Sequence, residues 1–327
     1  MRVTLAVPKL LAVERAALAG ASALARLVRY AETPVAVQSG FDAALLVAVG
    51  RPHDTPTAPL AARGAGFDPG NAYVSRADPV TLIAGRDDVF LAGRAEDLGA
   101  ADAVAMTATL NRHFAADGLT FHAPRPDAWF VTTREDAPSV TTALSEVFGP
   151  IRAHLPRGDH AKAWRRWSSE IQMLLHEHPV NAAREAAGRA PVTGVWLSGG
   201  GAGIGAPLAA TVFAAAGAWG DVARGLARDA SDAAPPPPSF AALPAVDHAV
   251  VVLAAITDAS ALNALIAQWI DPAVRALERR ALSSLALVAD GSGGAFTWDA
   301  RAPSSWQRLR ARLAAHAFVA PGGDGSA

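Results

Sequence analysis

The chain has 327 residues, a net charge of −1, 51% hydrophobic residues and no cysteine. So neutral a balance gives no electrostatic footprint for nucleic acid or a membrane surface, and the missing thiols exclude thiolate catalysis, cysteine zinc sites and disulfides. Lys9 and Lys162 are the only lysines, so Lys9 alone near the N-terminus suits Schiff-base or phosphate-loop chemistry.

The apolar start, Met1 to Leu10, is interrupted by Pro8, Lys9, Glu14 and Arg15 before a signal-peptide core can form. Residues 3–7 read as a short buried strand and 10–30 as an Ala/Leu-rich helix. A second helix covers 40–50 between glycines, and 50–72, rich in Pro, Gly, Asp and Thr, reads as a connection. Strands are expected at 73–83, 88–93, 119–123 and 128–133, with a helix over 101–116. A patterned helix spans 160–178, with Trp164, Trp167, Ile171, Leu174 and Leu175 on one face. Pro179 opens the next helix, and Gly188 closes it.

Residues 192–197 read as a buried strand before a glycine-rich turn, Gly199 to Gly205. The uncharged run 191–220 is long enough to cross a membrane, but Gly, Ala, Ser and Pro207 make it a poor span. Ala233 to Pro244, holding four consecutive prolines from Pro235, reads as a mobile loop or spacer. Interior strands are expected at 249–256 and 282–290, with helix over 259–280 between them. A soluble cytoplasmic protein is expected. Apolar strands at both ends, alternating with helices, predict an α/β open sheet core with helices on both faces. The middle third reads as an inserted α+β domain. The expected division is 1–68 and 192–327 for the core and 69–191 for the insertion.

The segments GFDAALLVAVG (40–50) and PLAARGAGFDPGNAYVSRADPV (59–80) resemble the start of archaeal-type cofactor-independent phosphoglycerate mutases, members of the alkaline phosphatase superfamily. HPVNAAREAAGRAPVTGVWLSGGG (178–201) resembles a second signature of that family. With EIQMLLHEHPVN and SRADPV it is similar to a bacterial branch labelled phosphoglycerate mutase or regulatory protein of the Rpf type E. The resemblance implies an alkaline-phosphatase-like core. It also implies a site in which two divalent metals, held by Asp and His, activate a serine nucleophile.

Measured against that pattern, the chain has lost most of the chemistry. Where the family has its first acidic ligand this chain reads VPKLL, and Phe41 stands at the nucleophile position beside a retained Asp42. Ser39 is two residues out of register. A later ligand motif appears as TDASAL, keeping Asp258 but with Leu262 in place of histidine, and Asp290 is followed by Gly291. Asp258 and Asp290 are then weak metal remnants, and no cofactor is expected unless the chain is an enzyme using Mn²⁺ or Mg²⁺. In the insertion, the resemblance implies that Arg76, Asp78, His160, Asn181 and Arg184 grip an anion. Asn181 and Arg184 share a helix face, and an arginine recognises oxyanions in bidentate fashion. Alternatively, Arg184 pairs with a carboxylate such as Glu170.

Gly201, Gly203 and Ala206 fit a G-x-G-x-x-A dinucleotide fingerprint with Asp221 twenty residues on, but Pro207 and the extra glycines weaken the match. His176 and His178 are two apart at a helix end and read as capping or surface groups; His113 and His122 read as structural. The tryptophans at 164, 167, 196, 269, 298 and 306 read as core or interface anchors.

The expected function is a degenerate, non-catalytic mutase-like protein with a regulatory or sensing role. Its expected partners are a small anionic metabolite of the phosphoglycerate type and a protein, with no nucleic acid and no membrane. The alternatives are an active metal-dependent phosphoglycerate mutase or phosphohydrolase, and an NAD(P)-binding oxidoreductase.

Overall fold

Strand β1 (Arg2–Val7) is buried at every position after the first. A strand with both faces covered belongs inside a parallel sheet, and β1 pairs in parallel with β9 (His248–Val252) and β10 (Ser284–Gly291). The computed structural model describes residues 1–95, 97–133, 141–144, 147, 149–291, 294–304, 307 and 318, and of Arg15 only the backbone. The expected core position of Trp306 lies outside these residues.

The chain forms two compact units, one of residues 1–55, 208–215 and 227–327, the other of residues 56–207 and 216–226. The expected boundaries at 68/69 and 191/192 therefore shift, because residues 56–68 and 192–207 belong to the second unit.

In the first unit a six-stranded sheet runs β2-β11-β10-β1-β9-β8. Its remaining strands are β2 (Val35–Val37), β8 (Thr211–Ala214) and β11 (Gly294–Arg301), the last antiparallel to β10. Val3, Leu5, Leu285 and Leu287 form one core with helices α2 (Ser22–Tyr30), α9 (Ala259–Leu265) and α10 (Asp271–Glu278). Helix α3 (Gly40–Ala48) packs against β10 and β11, so neighbouring residues Leu287 and Val288 are both fully buried. Arg26 pairs with Asp271, and the Tyr30 hydroxyl donates to Glu278 at 2.9 Å, tying α2 to α10.

Two expected long helices are broken. The 10–30 stretch is a 3-10 turn at Leu10–Ala12, then α1 (Arg15–Ala19) closed by Gly20, then α2. The 259–280 stretch passes through a π turn at Ile266–Ile270 just before Pro272, whose ring cannot supply the next helical N–H. Ala233–Pro244 is no free spacer either. Ala234 bridges β8, and Phe240 and Leu243 pack on the core.

The second unit is antiparallel. Strand β3 (Tyr73–Ala84) pairs with β4 (Val89–Arg94), β6 (Ala128–Thr133) and β7 (Gly194–Gly201), and β5 (Leu119–Arg125) pairs with β6. Helices α5 (Ala100–Phe114) and α6 (Ala161–His176) cover it with Met106, Leu110, Phe114, Trp164, Trp167 and Ile171. Helix α7 (Pro179–Ala186) follows.

The 50–72 connection contains a helix, α4 (Thr57–Gly64), which its turn-rich composition conceals; Pro59 falls in the first turn, where a missing N–H costs nothing. Helices α4 and α8 (Asp221–Leu226) meet backbone to backbone. A Cβ at Gly64 would overlap the Asp221 carbonyl, and one at Gly225 the Leu60 carbonyl. Gly64→Ala is therefore expected to cost the second unit about 1–3 kcal/mol, read as a lower urea midpoint. A wild-type midpoint would mean the two helices are not in backbone contact.

Candidate functional site

Open α/β sheets bind ligands at the carboxyl ends of their parallel strands. At that edge of the first unit, Lys9 follows β1 in the left-handed conformation, with φ 59°. Its N–H donates to the Asp290 carboxylate at 2.6 Å. Asp290 is buried, and burial pushes its pKa up while the Lys9 N–H opposes the shift. The Leu10–Ala12 turn closes over this end of β10: a Cβ on Gly291 would lie 2.6 Å from the Leu11 carbonyl carbon.

Asp258 is exposed and caps α9, accepting the Ala261 N–H at 2.9 Å, a bond that lowers its pKa. Leu262 is buried in that helix. Phe41 is 1% exposed within α3, while Ser39 is exposed immediately before the helix. Among the described residues no group of three or more His, Asp or Glu side chains could hold a metal ion. The described residues at this edge do not fit a dinuclear centre.

In the second unit Arg76 and Asp78 lie two apart on β3, on one face, both buried. Asp78 Oδ1 accepts from Arg94 at 2.7 Å, and its buried Oδ2 has no hydrogen-bond partner among the described residues. The Arg94 side chain is 32% exposed. Ser198 stands opposite Arg76 on β7. Arg94 was not foreseeable, because a bulge between Thr81 and Leu82 sets which β4 side chain reaches Asp78. His160 is exposed at the start of α6, with φ 59°.

Asn181 and Arg184 are placed differently from the expectation of an anion grip. The Asn181 amide donates to the Leu175 and Val192 carbonyls at 2.6 and 2.8 Å and accepts the Val192 N–H at 2.8 Å. Arg184 is 2% exposed and donates to the Ala190 carbonyl at 2.9 Å and the Asp97 carbonyl at 3.2 Å. They share a helical face as expected, but that face looks into the protein and fixes the chain leading to β7. Glu170, the alternative partner of Arg184, binds His113 at 3.0 Å and Arg166 at 3.4 Å.

The glycine run has a packing explanation. Strand β7 continues through Gly199–Gly201 in an antiparallel pair with β3, and no helix follows before β8. Gly199 sits at φ 64°, and side chains there and at Gly201 would overlap Thr57 and Pro56. Asp221 is buried under a bidentate pair from Arg125, at 2.7 and 3.1 Å. A dinucleotide fold needs a parallel strand leading into a helix, so the NAD(P) reading is corrected. The uncharged 191–220 run holds these two strands, and no described helix is long and apolar enough to cross a membrane.

His178 caps α7, accepting the Val180 N–H at 3.3 Å, and contacts Thr109 at 3.2 Å. His122 stacks on Phe67 at 4.1 Å. Trp164, Trp167, Trp196, Trp269 and Trp298 are all buried.

The fold and these contacts define a class: a chain with an open α/β sheet unit and a separate antiparallel unit, each built from discontinuous segments of sequence. No family model matches the chain. It is 31% identical over 186 residues to a 2,3-bisphosphoglycerate-independent phosphoglycerate mutase of Methanothrix thermoacetophila, a stretch that is 55% of this chain and 45% of the relative. The chain thus spans less than half of that relative's length. Two solved structures are similar at low identity. One is a cofactor-independent phosphoglycerate mutase from Thermoplasma acidophilum (13% identity, TM-score 0.42, 91% of this chain and 88% of that one). The other is a protein from Pyrococcus horikoshii (14% identity, TM-score 0.49, 92% and 87%).

Two predictions follow from the buried polar groups. Arg184→Ala leaves the Ala190 and Asp97 carbonyls without this donor and is expected to cost about 2–4 kcal/mol in chemical denaturation; an unchanged midpoint would remove its locking role. Burial holds the Asp290 pKa above its ordinary value, so the folded chain binds that proton more tightly than the unfolded chain. Its contribution is present below pH 3.8 and lost as pH rises through the folded pKa. Asp290→Asn, which keeps an acceptor for Lys9, is therefore expected to raise stability at pH 7, with the gain disappearing on acidification. A loss at pH 7 would show that the charge is needed. His122 and His248 act oppositely: burial lowers both, with Arg2 adding to the effect at His248, so their stabilisation is present above pH 6.5 and lost as pH falls through their folded values.

Proposed function

We propose that the chain is a degenerate, non-catalytic relative of the cofactor-independent phosphoglycerate mutases that senses a phosphoglycerate-like anion and acts by regulation. One observation carries this reading: the positions at which the sequence resemblance puts nucleophile and metal ligands have structural work instead. Phe41 and Leu262 are packed at 1% exposure, Asp258 caps a helix and Asp290 is sealed beneath the Lys9 N–H. A ring buried in a helix can neither attack phosphorus nor carry a phosphoryl group.

The anion reading is supported by the face carrying Arg76, Asp78 and Arg94. Two guanidinium groups suit a phosphate or carboxylate, and a buried carboxylate oxygen without a donor suits a hydroxyl on the same ligand. The active-mutase reading draws on Ser39, which is exposed at the start of α3.

A coupled mutase assay on Mn²⁺-treated full-length protein separates the two. No turnover is expected, and turnover abolished by Ser39→Ala would overturn the non-catalytic reading. In metal-free buffer, 3-phosphoglycerate is expected to raise the wild-type melting temperature. Arg94→Gln is expected to weaken that shift by tenfold or more in ligand concentration, about 1.4 kcal/mol. An equal shift in that variant would take the anion away from this face.

A further inference from the structure

The four prolines Pro235–Pro238 are not used by any chemistry described above. Each proline fixes its own φ near −65°, and each residue preceding a proline is pushed to extended backbone. Ala234–Pro237 are therefore held in left-handed polyproline II geometry, three residues per turn, up to a bend at Pro238. Burial follows that period. Within the run Pro235 and Pro238, spaced by three, are exposed, while Pro236 and Pro237 between them are half-buried.

Both ends are fixed. The Ala234 N–H donates to the Val212 carbonyl at 3.2 Å, and its carbonyl accepts the Ala214 N–H at 2.8 Å. Beyond the run, Ser239 leads into a 3-10 turn at Phe240–Ala242, where Phe240 and then Leu243 pack on the first unit's core. A segment ordered in this way has already met the entropy cost of straightening, so a partner does not have to supply it. Prolines offer no N–H, so this stretch cannot recruit a β-strand; what it presents is ring edges and carbonyl acceptors.

We propose that Pro235 and Pro238 form a docking ridge for a protein with an aromatic-lined groove of the kind that grips polyproline II segments. Two prolines one turn apart fit between parallel Trp or Tyr rings, while a Trp N–H or Tyr hydroxyl donates to a carbonyl of the run. Asp232, exposed in the 3-10 turn Ala230–Asp232 that precedes the run, places a negative charge beside it and favours a basic group near that groove. Nothing in this requires the anion site, so the two proposals stand or fall separately.

The test uses the full-length chain against a panel of purified, isotope-labelled aromatic-groove modules of the SH3, WW and EVH1 types, read by chemical shifts of their groove residues. At least one module is expected to bind through its aromatic groove. Pro235→Ala with Pro238→Ala is expected to weaken that binding roughly tenfold or more. Pro236→Ala with Pro237→Ala, on the half-buried edges, is expected to weaken it less. Thermal melts of both double variants show whether the fold is kept. No groove shift with any module, an equal loss in the two double variants, or shifts confined to surfaces away from the aromatic rings would each overturn the proposal.

Discussion

The first seven residues hold the sheet of the first unit together. Strand β1 lies between β9 and β10, so its backbone groups are matched by residues near positions 250 and 286. In a strand covered on both faces, water cannot replace those partners, and an unmatched N–H or C=O costs as much as a lost hydrogen bond. The remainder of the unit follows from closing that ladder. Helices α2, α9 and α10 cover one face and α3 packs on β10 and β11, while the turn after β1 is drawn over Asp290.

The polar side chains tell a consistent story. Asp290, Asn181, Arg184 and Asp221 are all buried, and each is held by a backbone group or a bidentate partner. Groups expected from the sequence to serve a ligand instead finish the hydrogen bonding of the chain around them. Buried polar groups are stable only when satisfied, so these four rigidify their surroundings and are poorly suited to releasing a product. The Arg76–Asp78–Arg94 face differs, with one guanidinium partly open to solvent and one carboxylate oxygen unmatched.

Much of this order was legible in the sequence. The apolar runs at 3–7, 249–256 and 282–290 hold β1, β9 and β10, neighbours in the sheet, although β9 stops at Val252. The α6 periodicity gave its apolar face correctly. What escaped reading was decided by distance. Helix α4 is masked by Pro and Gly whose roles depend on α8, more than 150 residues later. Strands β8 and β11 are too short or too mixed to stand out without the neighbours they pair with. For the candidate site, the i, i+3 spacing of Asn181 and Arg184 correctly gave a shared face. Spacing alone cannot say whether that face meets solvent or the carbonyls of Val192, Ala190 and Asp97.

The chain passes between its two units four times, at 55/56, 207/208, 215/216 and 226/227. During synthesis from the N-terminus, this ordering leaves β1 without either of its partners until β9 and then β10 have left the ribosome. The second unit is complete by residue 226, well before that. The second unit can therefore settle first, while an apolar strand and its two unpaired edges wait in the open, a state prone to mispairing. The interval between the emergence of β1 and that of its partners is therefore where non-native pairing competes with native folding.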